Sequence, residues 1–227
     1  MPTLRHHGPA LAATLLALGG LAACSDDGGS TAEDPATGST DAGTGVSCEY
    51  PAGGAAAKEV EPPPTEATVS GEVPMTLSTS AGDISATLTA DGTPCTVNSF
   101  VSLAEQGYFD ASQCHRLTTA GIFVLQCGDP TASGMGGPGY SFPDELSGEE
   151  TYGAGTLAMA NAGPDTNGSQ FFIVYDESQL PPAYTVFGTI DEASLEVVRD
   201  IAAKGAQGGA PDGPPKETVE IESVEVG

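Results

Sequence analysis

Leu157-Ala158-Met159-Ala160-Asn161-Ala162-Gly163-Pro164-Asp165-Thr166-Asn167-Gly168-Ser169-Gln170-Phe171-Phe172-Ile173 decides how this chain is read. It opens apolar, passes through Asn, Gly, Pro and Ser, and ends in an aromatic run. Neither helix nor strand periodicity explains the middle. Amides, glycine and proline at that density mark a loop with a required shape. The run after it reads as a strand, and alternation forbids two adjacent Phe side chains from sharing a face. One ring therefore belongs to a core and the other to a different surface. Upstream lies a second informative stretch, Cys114-His115-Arg116-Leu117-Thr118-Thr119-Ala120-Gly121-Ile122-Phe123-Val124-Leu125-Gln126-Cys127-Gly128-Asp129. Its Arg116 is the one Lys or Arg between Lys58 and Arg199.

Working outward, Gln113–Leu117 and Phe123–Gln126 read as strands joined by a loop. Alternation puts Cys114 and Arg116 on one face, His115 and Leu117 on the other. His115 then reads as a satisfied buried histidine rather than a base. Val73, Met75 and Leu77, followed by Ile84, Ala86 and Leu88, alternate around Ala81-Gly82-Asp83, the pattern of a hairpin with one buried face. Thr93-Pro94 opens a helix as N-cap and first residue, and Gly107 stops it. Tyr184–Gly188 is a strand, Asp191 caps a second helix through Lys204, and Val219 to Val226 closes the chain as a strand. Thr131 to Tyr140 is a glycine-rich loop with no Lys-Ser/Thr after it, which excludes a P-loop. Many short strands with two helices predict a mainly β fold, a closed antiparallel barrel capped at its ends.

Composition narrows the function. The 227 residues carry 6 Lys+Arg against 31 Asp+Glu, a formal net charge of −25. Phosphate contact needs clustered Lys and Arg, so nucleic acid is excluded as a partner. The acidity reads as a solvated surface that keeps the chain soluble. The five Cys and three His show no C-x-x-C or H-x-x-x-H spacing, so no metal site is expected.

The N-terminus has the grammar of export. Arg5 precedes an uncharged apolar run, Leu11 to Leu21, too short to span a bilayer. It ends in Leu21-Ala22-Ala23-Cys24, which looks like a bacterial lipobox, with an ordinary signal peptide and a chance cysteine as the alternative. The expected organisation is a signal peptide over 1–23, a lipid-anchored Gly/Ala/Pro-rich tether over 24–71 beginning at lipidated Cys24, and a folded domain over 72–227. A tether of that composition cannot bury enough apolar surface to fold. Cys48 beside Tyr50 is its one structured-looking point and is expected to bond to the domain.

The two stretches resemble the cyclophilin family of peptidyl-prolyl cis/trans isomerases. The family pairs a His-Arg strand with Phe-x-x-Gln-x-Gly-Asp, met here by Phe123 to Asp129. Its Met-Ala-Asn-Ala-Gly-Pro-x-Thr-Asn-Gly-Ser-Gln-Phe-Phe is met by Met159 to Phe172 without a gap. The resemblance runs from about Val73 to the C-terminus. It implies an eight-stranded closed barrel capped by two helices, acting without a cofactor on proline-containing peptides and unfolded exported proteins. It also implies a monomer, here held by its lipid on the outer face of a bacterial cell membrane. A module that binds proline segments with little turnover is the alternative.

The resemblance makes Arg116 the catalytic residue, a surface salt bridge being the other use of such an arginine. It assigns Phe123, Val124, Phe172 and Leu180 to an apolar pocket for the proline ring, which leaves Phe171 for the core. Gln126 anchors the arginine and the substrate backbone. Ala160 and Asn161 hold the peptide main chain, Gln170 shares the strand face of Phe172, and Tyr184 stands where many members have His. Two extra residues separate Arg116 from Gln126 relative to the usual spacing, so Phe123 is placed by counting back from Gln126. An exported chain permits disulfides among Cys48, Cys95, Cys114 and Cys127. Parity sets Cys114 and Cys127 on opposite faces, which argues against a 114–127 bond and leaves Cys95 to pair with one of them.

Overall fold

The computed structural model describes residues 45–227. The expected signal peptide, Cys24 and the first part of the tether lie outside the described residues. Strands β1 (Val46–Ser47) and β2 (Glu66–Ala67) pair with each other. Then come β3 (Glu72–Thr79), β4 (Gly82–Thr89), helix α1 (Pro94–Glu105), β5 (Ser112–Gln113), β6 (Arg116–Thr118), β7 (Val124–Cys127), β8 (Thr156–Met159), β9 (Phe171–Val174) and β10 (Val186–Ile190). Helix α2 (Glu192–Lys204), a 3₁₀ turn (Gln207–Gly209), β11 (Asp212–Gly213) and β12 (Glu220–Val226) complete the chain.

Ten strands form one antiparallel sheet in the order β11-β6-β7-β9-β8-β10-β4-β3-β12-β5. The expected count of eight is therefore corrected to ten, and the sheet is curled without a pairing between its end strands β11 and β5. Those extra strands are two residues long, too short to leave a periodic signal. The β3–β4 hairpin follows its alternation: Met75, Leu77, Ile84, Ala86 and Leu88 are all buried. Inside the curl, Phe171 of β9 packs on Phe100 of α1 and on Phe109, with ring centroids 5.5 and 5.8 Å apart. Phe187 of β10 meets Phe100 at 5.4 Å.

The helices start as the sequence predicts, but only one is capped by the residue expected. Asp191 accepts from Ser194 N at 2.7 Å, and Gly205 leaves α2 with φ +80°. Thr93 sits at the N-cap of α1 but makes no capping bond; its hydroxyl donates to Thr89 O. The Glu145 carboxylate does the capping from a distant loop. It accepts from Cys95 N at 3.0 Å and from Thr96 N at 2.8 Å. A carboxylate there satisfies orphan N–H groups and complements the helix dipole.

The second half of the expected tether belongs to the domain. Residues 45–67 lie against it through backbone bonds from Gly53 N to Gly139 O and from Ala57 N to Gly137 O. The Tyr50 ring is edge-on to Tyr140 and Phe142, and its hydroxyl donates to Cys95 O at 2.7 Å. Burial pushes the Tyr50 phenol up to about 12, so it stays a neutral donor. A Cys48–Cys95 disulfide ties this segment to α1. Cys48 thus bonds to the domain as expected.

The second disulfide overturns the parity argument: Cys114 bonds Cys127. The expected strand from Gln113 to Leu117 is broken. Gln113 pairs with β12 and Arg116 with β7, so the chain changes ladders at Cys114-His115. Cys114 N donates to Val219 O, whereas His115 N donates to Gln126 O. Counting faces across that step has no meaning, and both cysteines are buried in the main core.

Candidate active site

The site is a row of side chains laid down by register. Arg116 of β6 pairs with Gln126 of β7, Gln126 with Phe172 of β9, and Phe172 with Ala158 of β8. Paired residues share a face, so the four lie side by side across the sheet. The opposite face of the same strands carries Leu125, Cys127, Phe171 and Ile173, all buried in the main core. Phe171 is thus the core ring and Phe172 the outward one.

A cavity of about 180 Å³ opens over this row. Arg116, Ile122, Val124, Gln126, Ala160, Asn161, Phe172, Leu180 and Tyr184 line it. Its floor is apolar: Val124, Phe172, Ala158, Val174 and Tyr152 form a small separate core under it. The Phe172 ring is edge-on to Tyr184 at 5.6 Å. Tyr152 braces that wall, its hydroxyl donating to Tyr184 O and accepting from Tyr184 N, both at 3.0 Å. Sequence reasoning did not find Tyr152, which lies in a loop without a motif.

Phe123 is not part of this cavity. Val124 faces the site, so its neighbour faces away; Phe123 packs edge-on to Tyr175 at 5.9 Å and opens toward Arg199 and Ala202 of α2. Ile122, two residues before Val124, takes the place expected for Phe123. The alternation of β7 runs on before Val124, where Tyr175 N still donates to Phe123 O, and so predicts this. Counting back from Gln126 by the family motif picks Phe123 whichever face it occupies. Gln170 lines a neighbouring cavity of about 370 Å³, with Gly134, Met135, Gly136 and Thr166; Ala160 and Asn161 border both.

A chain of hydrogen bonds runs through the polar wall. Arg116 donates from Nε and Nη2 to the two carboxylate oxygens of Asp212 at 2.8 and 2.7 Å, and from Nη1 to Gln126 Oε1 at 3.3 Å. Gln126 Nε2 donates to Gln170 Oε1 at 2.9 Å. Gln170 Nε2 donates to the carbonyls of Gly134 and Gly136, each at 3.0 Å. Each amide orientation follows from its neighbour. Arg116 therefore makes a surface salt bridge and lines the cavity at once. The hydrogen bond to Arg116 holds the Asp212 carboxyl below its usual range, and the pair raises the arginine further.

The glycine-rich loop at the end of this chain is held by buried Asp129. Its carboxylate accepts from the backbone N–H groups of Thr131, Ser133 and Gly136 and from the Thr131 and Ser133 hydroxyls. Burial pushes this carboxyl up, but the donors outweigh it and bring it down to about 2. A Cβ on Gly136 would sit 2.0 Å from Asp129 Oδ1, so only glycine fits there. The Asn161 amide is engaged too, donating to Ala183 O at 2.9 Å, and Ala160 N donates to Gln170 O. His115 is not the satisfied histidine expected. Neither ring nitrogen has a hydrogen-bond partner among the described residues. Burial lowers its pKa against the pull of the Asp129 carboxylate, so the ring is neutral at physiological pH.

Residues 74–226, well over half of the chain, match the family model of cyclophilin type peptidyl-prolyl cis-trans isomerases. The chain belongs to this family. Among curated cyclophilin relatives, a probable peptidyl-prolyl cis-trans isomerase B of Mycobacterium leprae is 49% identical over 200 residues, 79% of this chain and 66% of that protein. A probable peptidyl-prolyl cis-trans isomerase B of Mycobacterium tuberculosis is 47% identical over 199 residues, 81% and 65% of the two chains. This chain thus spans just under two thirds of the length of these relatives. In the crystal structure of a Cryptosporidium parvum cyclophilin type isomerase the same fold recurs at a TM-score of 0.60 and 29% identity, covering 69% of this chain and 98% of that one. That protein has also been crystallised in the presence of the dipeptide Ala-Pro.

Proposed function

We propose that this chain is a peptidyl-prolyl cis/trans isomerase that accelerates the folding of exported proteins. The observation that carries the reading is a guanidinium fixed beside an apolar cavity floored by Phe172. A prolyl bond rotates slowly because amide resonance imposes a barrier of about 18–20 kcal/mol. Rotation breaks no σ bond, so the work is to stabilise the twisted state. Twisting localises a lone pair on the prolyl nitrogen. An N–H donor of Arg116 aimed at that nitrogen binds the twisted state better than either planar one, which lowers the barrier.

The cavity residues Ile122, Val124, Phe172 and Leu180 take the proline ring, with Tyr184 as its far wall. Gln126 holds Arg116, and Ala160 and Asn161 lie where the peptide main chain would pass. The Ala-Pro dipeptide named with the Cryptosporidium relative supports a proline-containing ligand. Export and anchoring through lipidated Cys24 rest on the apolar run and Leu21-Ala22-Ala23-Cys24.

The test is a protease-coupled isomerisation assay on a short Xaa-Pro peptide, run beside a peptide affinity measurement. Turnover well above the uncatalysed rate is expected. Tight binding without turnover would make this a proline-segment binding module instead. Mass spectrometry of the membrane fraction should find an acylated N-terminal Cys24; a soluble protein cleaved elsewhere would end the anchoring proposal.

A further inference from the structure

We infer that Asp212 is a positioning residue for Arg116, fixing the guanidinium so that its free edge faces the cavity; this rests on the isomerase reading above. Asp212 lies on β11, whose pairing with β6 sets it opposite Thr118. Thr118 and Arg116 are two apart on one strand and so share a face. Asp212 is therefore the diagonal neighbour of Arg116, within reach of a long side chain.

The backbone that carries the carboxylate does not depend on the Arg116 side chain for its place. Its strand is held by the β11–β6 ladder, by Thr119 N donating to Pro211 O at 2.8 Å, and by Gln207 N donating to Pro214 O at 2.8 Å. Asp212 grips Nε and Nη2 together, a two-point contact that stops the planar group from turning. Gln126 takes one N–H of Nη1. Three of the five guanidinium donors are then used, and one N–H remains on each of Nη1 and Nη2. The used donors anchor the group on side chains of the two neighbouring strands, Asp212 of β11 and Gln126 of β7. The free ones are left for the prolyl nitrogen and its neighbours.

Stability is not what the pair supplies. Its side chains are 39% and 51% exposed, and exposed ion pairs contribute little to folding. Orientation is different, because small misplacement of a catalytic group slows turnover steeply. Loss of Asp212 would leave the charge of Arg116 in place and remove its fixed direction.

The experiment is a double-mutant cycle of Asp212→Ala and Arg116→Ala, measuring turnover, peptide affinity and melting temperature. Asp212→Ala is expected to lower kcat about 10- to 100-fold. Peptide affinity should stay within about twofold, and the melting temperature within about 3 °C. In the Arg116→Ala background, removing Asp212 should cost nothing further. The Arg116 Nε–H resonance should exchange slowly with water in the parent and broaden in Asp212→Ala. Asp212→Asn, which accepts from Nε but sets an NH₂ against Nη2, should fall between. An Asp212→Ala protein as fast as the parent, or faster, would overturn the inference, as would a further tenfold loss in the Arg116→Ala background. Turnover of the parent protein reads the isomerase proposal separately: if the parent is inactive, that proposal fails whatever Asp212 does to the resonance.

Discussion

The two faces of the β7–β9 ladder share a backbone and differ in everything else. On one face Leu125, Cys127, Phe171 and Ile173 sink into the main core. On the other Val124, Gln126 and Phe172 line a cavity whose polar wall is tied together by side-chain hydrogen bonds. A period of two lets one strand serve both, because alternate residues answer to different neighbours. The dry face sets the geometry and the wet face uses it. Adjacent residues should therefore fail in different assays.

The largest effect belongs to the dry face. Phe171 is fully buried among Phe100 and Phe109. Phe171→Ala should destabilise the domain by about 3–5 kcal/mol. Phe172→Ala should cost less than half of that, since its ring borders an existing cavity, while weakening proline-peptide binding more than Phe171→Ala does. Denaturant melts and peptide titrations of the two variants check the contrast. Equal losses of stability would show that the faces are not separate.

Next comes the wet face alone. Arg116→Ala should lower turnover by about 10²–10³, the loss typical of one preorganised donor. Arg116→Lys should recover little, since a lysine is a mobile point charge without the planar fork. The melting temperature should scarcely move, because the residue is 39% exposed and its ion pair is a surface one. Turnover at the parent level in Arg116→Ala would remove the catalytic assignment.

The same contrast explains how much of the molecule was legible in its sequence. Where a strand is continuous, parity works: it separates Phe171 from Phe172, and applied to Val124 it finds Ile122. Where the chain leaves a ladder, parity is meaningless, which is how Cys114 and Cys127 were set on opposite faces. Two-residue strands such as β5 and β11 carry no pattern, and the partners they bring in lie far away in sequence. Glu145 caps α1 from 50 residues away and Asp212 meets Arg116 from 96 away. The segment around Tyr50 reads as linker because backbone bonds, one ring and one disulfide hold it in place of an apolar stripe.

The Cys114–Cys127 bond joins the two faces, being buried on the dry side while its cysteines flank His115-Arg116 and Gln126. With its ends separated by 13 positions in sequence, loop-closure entropy alone makes it worth about 3 kcal/mol. Cys114→Ala with Cys127→Ala should lower stability by about that amount and leave Gln126 opposite Arg116, because the β6–β7 pairing is independent of the bond. Thermal melts and the Xaa-Pro assay below the melting range should show a less stable protein with most of its turnover. Turnover lost in proportion to stability would mean that the disulfide, rather than the ladder, sets the site.

The smallest effect concerns the part of the wet face that no strand holds, the loop that Asp129 organises. In the folded chain this carboxyl titrates at about 2, below the ordinary aspartate value near 4. A depressed folded pKa means the charged form is favoured by folding. Its contribution is fully present above about pH 4 and is lost as the pH falls through about 2. The melting temperature should drop over that window by more in the parent than in Asp129→Asn, which has no proton to gain. At neutral pH the variant should itself be less stable, by about 1–3 kcal/mol, because an amide NH₂ would face N–H and O–H donors that now meet a carboxylate oxygen. Gln170 would then lose the fixed carbonyls of Gly134 and Gly136, so peptide affinity should fall more than the Arg116-dependent step. If Asp129→Asn keeps the acid slope of the parent, another carboxylate carries it, and the loop does not owe its shape to this charge.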